Sequence, residues 1–122
     1  MSYARSPSEG DVYVIGTKKD GVLWWECLGC DLVSASLVPA HTLVGYDFEA
    51  HMAKGSFCAA DPGQMVTHLR LHRAVGQKVP DRAINRLSRE HQEWIAKREA
   101  EFEAFNAAAR EAAERRQAAA EA

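Results

Sequence analysis

The apolar positions of the chain change period along its length. Val12-Tyr13-Val14-Ile15 and Val22-Leu23-Trp24-Trp25 are short β-branched and aromatic runs on either side of the turn-forming stretch Gly16 to Gly21, and they predict a β-hairpin. Trp24 and Trp25 fall on opposite faces of the second strand, so one is expected in the core and the other exposed. From Asp61 the period becomes helical: Met65, His68, Leu71, His72 and Val75 share one side, with Arg70 and Arg73 on the other. Asp61, Pro62 and Gln64 suit a capped helix start, and Gly76 suits its end. Val79-Pro80 prevents simple continuation, and a second helix opens at Pro80 or Asp81. From Asp81 to Ala122 there is no proline or glycine, which predicts roughly 60 Å of continuous helix. Its stripe is Ile84, Leu87, His91, Ile95, Phe102, Phe105 and Ala109, with Trp94 at the margin and Arg98 interrupting. The pairs Glu93 with Lys97 and Glu111 with Arg115 support an exposed helix.

The remaining segments are less periodic. Residues 1–10 are polar, contain Pro7 and Gly10, and are expected to form a flexible leader. Leu32 to Val38 is compatible with a third strand, Tyr46 to Lys54 with a short helix or a loop, and Phe57-Cys58 with a last short strand.

A chain of 122 residues with 47% hydrophobic content can bury one modest core and has no room for two independent domains. No apolar run approaches the length of a membrane helix and Met1 to Gly10 lacks a signal-peptide core, so a cytoplasmic protein is expected. In a reducing compartment, three cysteines predict metal binding or redox chemistry in preference to a disulfide framework. The net charge of −2 hides a basic middle: residues 61–89 hold Arg70, Arg73, Lys78, Arg82, Arg86 and Arg89 against Asp61 and Asp81, six minus two, or +4. That segment is either a nucleic-acid contact or a solvated helix face.

The chemistry concentrates in two pairs. Cys27-Leu28-Gly29-Cys30 ends the predicted hairpin, where Gly29 can take the positive φ that turns both thiolates toward one point. His68 and His72, four apart on a helix, present two imidazoles from adjacent turns. Cys27, Cys30, His68 and His72 therefore predict one structural zinc ion held in a tetrahedron. A gap of 37 residues separates Cys30 from His68, more than in an ordinary two-cysteine, two-histidine finger. The competing readings are a thioredoxin-like redox pair, which wants a βαβ setting, and free cysteines beside surface histidines. Cys58 could replace one histidine as a ligand or be a small core residue. His41, His51 and His91 have no paired partner in the sequence and read as structural or exposed. Four protein ligands leave no open position for water, and HExxH, GxSxG and phosphate-loop motifs are absent, so no enzyme and no small-molecule substrate are expected.

The run HLRLHRAVGQKVPDRAINRL from His68 to Leu87, preceded by DVYVIG and WWECLGC, resembles small zinc-finger-like proteins encoded by phages of actinobacteria. The likeness spans about Asp11 to Arg89, through Cys27, Cys30, His68, His72, Gly76, Val79 and Pro80. The segment from Ser34 to Ala60 is longer than that pattern, and the alanine-rich tail from Arg98 is outside it. The resemblance implies the metal site and a bacterial host cytoplasm, and it names no task.

The expected fold is α+β: a zinc-stabilised ββα-like unit over 11–79 with an insertion at about 34–60, then a long helix over 80–122. The expected function is a protein-interaction module, with Ile84, Leu87, Trp94, Ile95, Phe102 and Phe105 of the long helix meeting a protein partner or forming a coiled coil with a second copy. The alternative is a zinc-finger-type DNA- or RNA-binding protein using residues 70–89.

Overall fold

The computed structural model describes residues 2–19, 21–39 and 55–122. Tyr46 to Lys54, His41 and His51 lie outside these described residues. The elements run β1 (Ser2–Ala4), β2 (Tyr13–Lys19), β3 (Val22–Leu28), α1 (Asp31–Ser34), β4 (Phe57–Ala59), α2 (Pro62–Ala74) and α3 (Asp81–Glu121). The class is α+β, with one antiparallel sheet in the order β1-β2-β3-β4.

The hairpin is tighter than the six-residue turn expected. β2 continues through Gly16 to Lys19, Lys19 pairs with Val22, and Gly21 carries a φ of 79° that L side chains rarely adopt. The hairpin is also the middle of the sheet and not a free ribbon. Residues 2–4 form an edge strand on β2, with Tyr3 and Ala4 buried, which corrects the flexible leader expected at 1–10. Backbone pairing to a ready-made strand outweighs the polar composition there, a force that single-residue polarity does not report. Leu32 lies in the single helical turn α1 and not in a third strand; Phe57-Cys58 does form a short strand, β4.

Strand alternation sends Trp25 and Cys27 to one face of the sheet and Trp24 and Glu26 to the other. All four are buried, so the expectation of one exposed tryptophan is corrected. Trp24 satisfies its indole by donating from Nε1 to Glu26 Oε1 at 2.6 Å. On the first face, Val12, Val14, Trp25, Phe57 and Ala59 meet Met65 and Leu69 of α2 and Ala83, Ile84 and Leu87 of α3 in one core.

α2 begins as its sequence dictates. Asp61 is extended (φ −143°, ψ 159°) and its Oδ1 accepts from the Gln64 N–H at 3.0 Å, while Gln64 Oε1 accepts from the Ala60 N–H at 3.0 Å, one residue before the usual box partner. The helix ends with the Gly76 N–H donating to Arg73 O and the Gln77 N–H donating to His72 O, both at 3.0 Å, with Gly76 at φ 90°. These two bonds are a Schellman motif, and they put Gln77 beside His72. The buried arc of α2 is Met65, Val66, His68, Leu69 and His72; Leu71 and Val75 are exposed, contrary to the sequence reading. At 100° per residue Leu71 sits about 60° outside the arc that the histidines begin, and Leu69 lies inside it.

The chain divides into two units, Met1–His91 and Gln92–Ala122, with α3 contributing to both. The core therefore extends past residue 79, because Val79, Ala83, Ile84 and Leu87 are buried in the first unit. Among the described residues no helix is long and apolar enough to cross a membrane.

Candidate metal centre

Each ligand pair is positioned by its own element. Cys27 is the penultimate residue of β3, Gly29 follows at φ 57°, and the Cys30 N–H is held by Gly55 O at 2.8 Å. Gly55 lies two residues before Phe57, where β4 starts to pair with β3, so closing the sheet also fixes the second cysteine. His68 and His72 stand on the buried arc of α2, which packs on β3 and β4. The long separation in sequence is spanned by the fold: Phe57 pairs with Cys27, and β4 runs almost directly into α2.

The four side chains converge with all ligand atoms within 4.8 Å of one another, and all four residues are buried. Both histidines present Nε2. Cys30 Sγ lies 3.3 Å from His68 Nε2 and 3.4 Å from His72 Nε2, Cys27 Sγ lies 3.6 Å from His72 Nε2, and the two Nε2 atoms are 3.1 Å apart. An ion about 2.3 Å from sulfur and about 2.05 Å from nitrogen at tetrahedral angles sets S–N edges near ~3.5 Å and an N–N edge near ~3.4 Å. Four of the six edges match within a few tenths of an ångström and all six lie within 4.8 Å, so the donor set is close to the size of a tetrahedral metal cage.

The two imidazoles are oriented differently. His72 Nδ1 is hydrogen-bonded to Gln77 Oε1, and Gln77 Nε2 donates to Asp31 Oδ2 at 2.9 Å, which gives His72 an outer partner that fixes its tautomer and ring plane. His68 Nδ1 has no hydrogen-bond partner among the described residues, and its ring is set by stacking on Phe57, centroids 3.9 Å apart and planes 3° from parallel. Gln77 and Asp31 were not singled out by sequence reasoning; Gln77 directly after the Gly76 stop was the available signal.

The electrostatics favour a thiolate in the cage. A hydrogen bond from Cys27 holds Cys30 well below the ordinary thiol range, against burial and with further bonds from His68, His72 and the Val33 N–H. The same hydrogen bond, with burial, pushes Cys27 far above that range. Burial disfavours the charged form of His72, but hydrogen bonds to Cys30 and Gln77 and the charges of Cys30 and Asp31 prevail and raise it. A divalent cation bound here would compete with the Cys27 proton.

Cys58 is not part of the cage. It pairs with Glu26 on the sheet face opposite Cys27, is fully buried, and is pushed up to about 12 by burial and the Glu26 charge. His91 is half-buried with Nδ1 3.6 Å from Asp61 Oδ1 and its ring against Gly63, away from the four ligands.

The basic candidates are partly consumed inside the protein. Arg73 donates to Val79 O at 2.5 Å and pairs with Asp81 at 2.6 Å; Arg82 pairs with Glu9; Arg86 bonds Ser2 O, pairs with Glu90 at 3.4 Å and lies over the Tyr3 ring. Arg70, Lys78 and Arg89 are exposed. Of the expected partner contacts, Ile84 and Leu87 are withdrawn into the core, which corrects their assignment; the core stripe and the distal stripe share one helical period but not one role. Trp94 and Ile95 are half-buried, while Phe102 and Phe105 are 66% and 71% exposed. Comparison with protein-family models, with curated proteins and with solved structures finds no match.

Proposed function

We propose that the chain is a zinc-stabilised protein-interaction module. The observation that carries this is the convergence of four buried donors, Cys27, Cys30, His68 and His72, with all ligand atoms within 4.8 Å of one another. Two thiolates with two imidazoles favour zinc among divalent ions, and four protein donors fill the coordination sphere, which supports a structural ion and no hydrolytic role. The ion would clamp the end of β3 to α2. Phe102 and Phe105, large apolar side chains left exposed on α3, are the natural contact surface. The likeness to zinc-finger-like phage proteins fits such a module acting in a bacterial cytoplasm.

Nucleic-acid binding is the weaker reading, because Arg73, Arg82 and Arg86 already have intramolecular partners and only Arg70, Lys78 and Arg89 are left to meet phosphates. Titration with labelled duplex and single-stranded DNA across a salt series separates the two. No binding, or weak binding unaffected by reversing Arg70 and Arg89, is expected of the interaction module; tight binding that falls steeply with salt and disappears on charge reversal would favour the alternative.

A further inference from the structure

We infer that residues 95–112 of α3 pair with the same segment of a second copy as an antiparallel coiled coil. This rests on the interaction-module reading and names its partner. Within the second unit, Ile95, Arg98, Phe102, Phe105, Ala109, Ala112, Arg116 and Ala119 recur at alternating spacings of three and four, the a and d positions of a heptad repeat. The two phenylalanines are the most exposed large apolar side chains of the described residues.

Charge decides the orientation. A parallel, in-register pair would set Arg98 against Arg98 and Arg116 against Arg116 in the seam, and like charges facing in a partly dry seam repel. An antiparallel pair in which Phe102 meets Phe105 of the second copy removes both clashes. In that register Ile95 meets Ala112, and Arg98 meets Ala109, whose methyl leaves room for a long side chain. Arg98 already lies over the Trp94 ring at 4.6 Å, at the seam's margin, so its charge can stay wet while its stem packs. The flanking acids find no like charge: Glu101 falls beside Ala108 and Glu99 beside Asn106. Moving the register one heptad along would bring Arg98 onto Arg116, so the charge pattern disfavours that shift.

The test uses the full zinc-loaded chain with Ile95→Cys and Ala112→Cys made separately and a short bismaleimide cross-linker. In the antiparallel pair each variant's two thiols lie 17 residues, or about 25 Å, apart, whereas the mixed pair brings the two new cysteines face to face. The expected result is a doubled mass by concentration-dependent light scattering, lost with Phe102→Ala plus Phe105→Ala, and cross-linking in the mixture only. Monomer mass at all concentrations, or efficient cross-linking by either variant alone, would overturn the inference. Zinc content, measured on the same samples, reports separately on the metal module.

Discussion

His72 is hydrogen-bonded through Nδ1 to Gln77, the residue that the α2 C-terminal motif places beside it. The contact that usually joins these two positions of a Schellman motif is hydrophobic; here it is polar and continues to Asp31. Gln77→Ala keeps all four ligands but frees the His72 ring, so zinc affinity is expected to fall by roughly 10- to 100-fold with stoichiometry unchanged. Competition against a fluorescent zinc indicator measures it, and an unchanged affinity would show that the outer partner does not tune the site.

Cys58 makes a sharp control because it is as buried as the ligands but sits on the other sheet face. Cys58→Ser should retain one bound ion per chain, whereas Cys27→Ser or Cys30→Ser should lose it. With its pKa pushed up to about 12, the Cys58 thiol of the native protein is also expected to resist alkylation at neutral pH. Rapid labelling of Cys58 ahead of the metal-site cysteines would contradict its placement.

The two-cysteine, two-histidine cluster was legible from sequence because each pair is local: a glycine-containing turn after a strand, and two histidines one helical turn apart. The fold that joins the pairs was only partly legible. Phe57-Cys58 read as a strand, but nothing in the local pattern shows Cys58 pairing with Glu26 while Phe57 pairs with Cys27. Ser2–Ala4 has too little apolar periodicity to predict a strand, and β2 supplies the template that makes it one. One of Trp24 and Trp25 was expected to be exposed because alternation assumes one wet face, and this sheet buries side chains on both. Gln77 acquires its role through Asp31, 46 residues earlier, a relation no local pattern contains.

Tyr3 ties β1 to both other parts of the first unit: its hydroxyl donates to Glu90 Oε2 at 2.6 Å and accepts from Trp25 Nε1 at 3.1 Å. Burial, then the Glu90 hydrogen bond, raises its pKa from 10.0 to about 12. The neutral phenol is the form that the fold favours, so its stabilisation is fully present below pH ~10 and is lost as pH rises through ~12. Tyr3→Phe should flatten this alkaline loss and cost about 1–2 kcal/mol near neutrality by leaving the Trp25 indole unpaired. Urea midpoints at neutral and alkaline pH report both effects; identical alkaline profiles for the two proteins would exclude Tyr3 as the cause.

The hairpin and α2 meet at a donor cluster whose geometry exists only in the folded chain, so the free energy of binding a metal there, on the order of 10 kcal/mol for finger-like sites, would become folding free energy. Elemental analysis of the purified chain, paired with thermal melts before and after a strong chelator, should find one zinc per chain and a cooperative transition that chelation abolishes. The same loss is expected for His68→Ala and His72→Ala without chelator. A metal-free protein that melts cooperatively at an unchanged temperature would show that Cys27, Cys30, His68 and His72 are only a buried polar cluster.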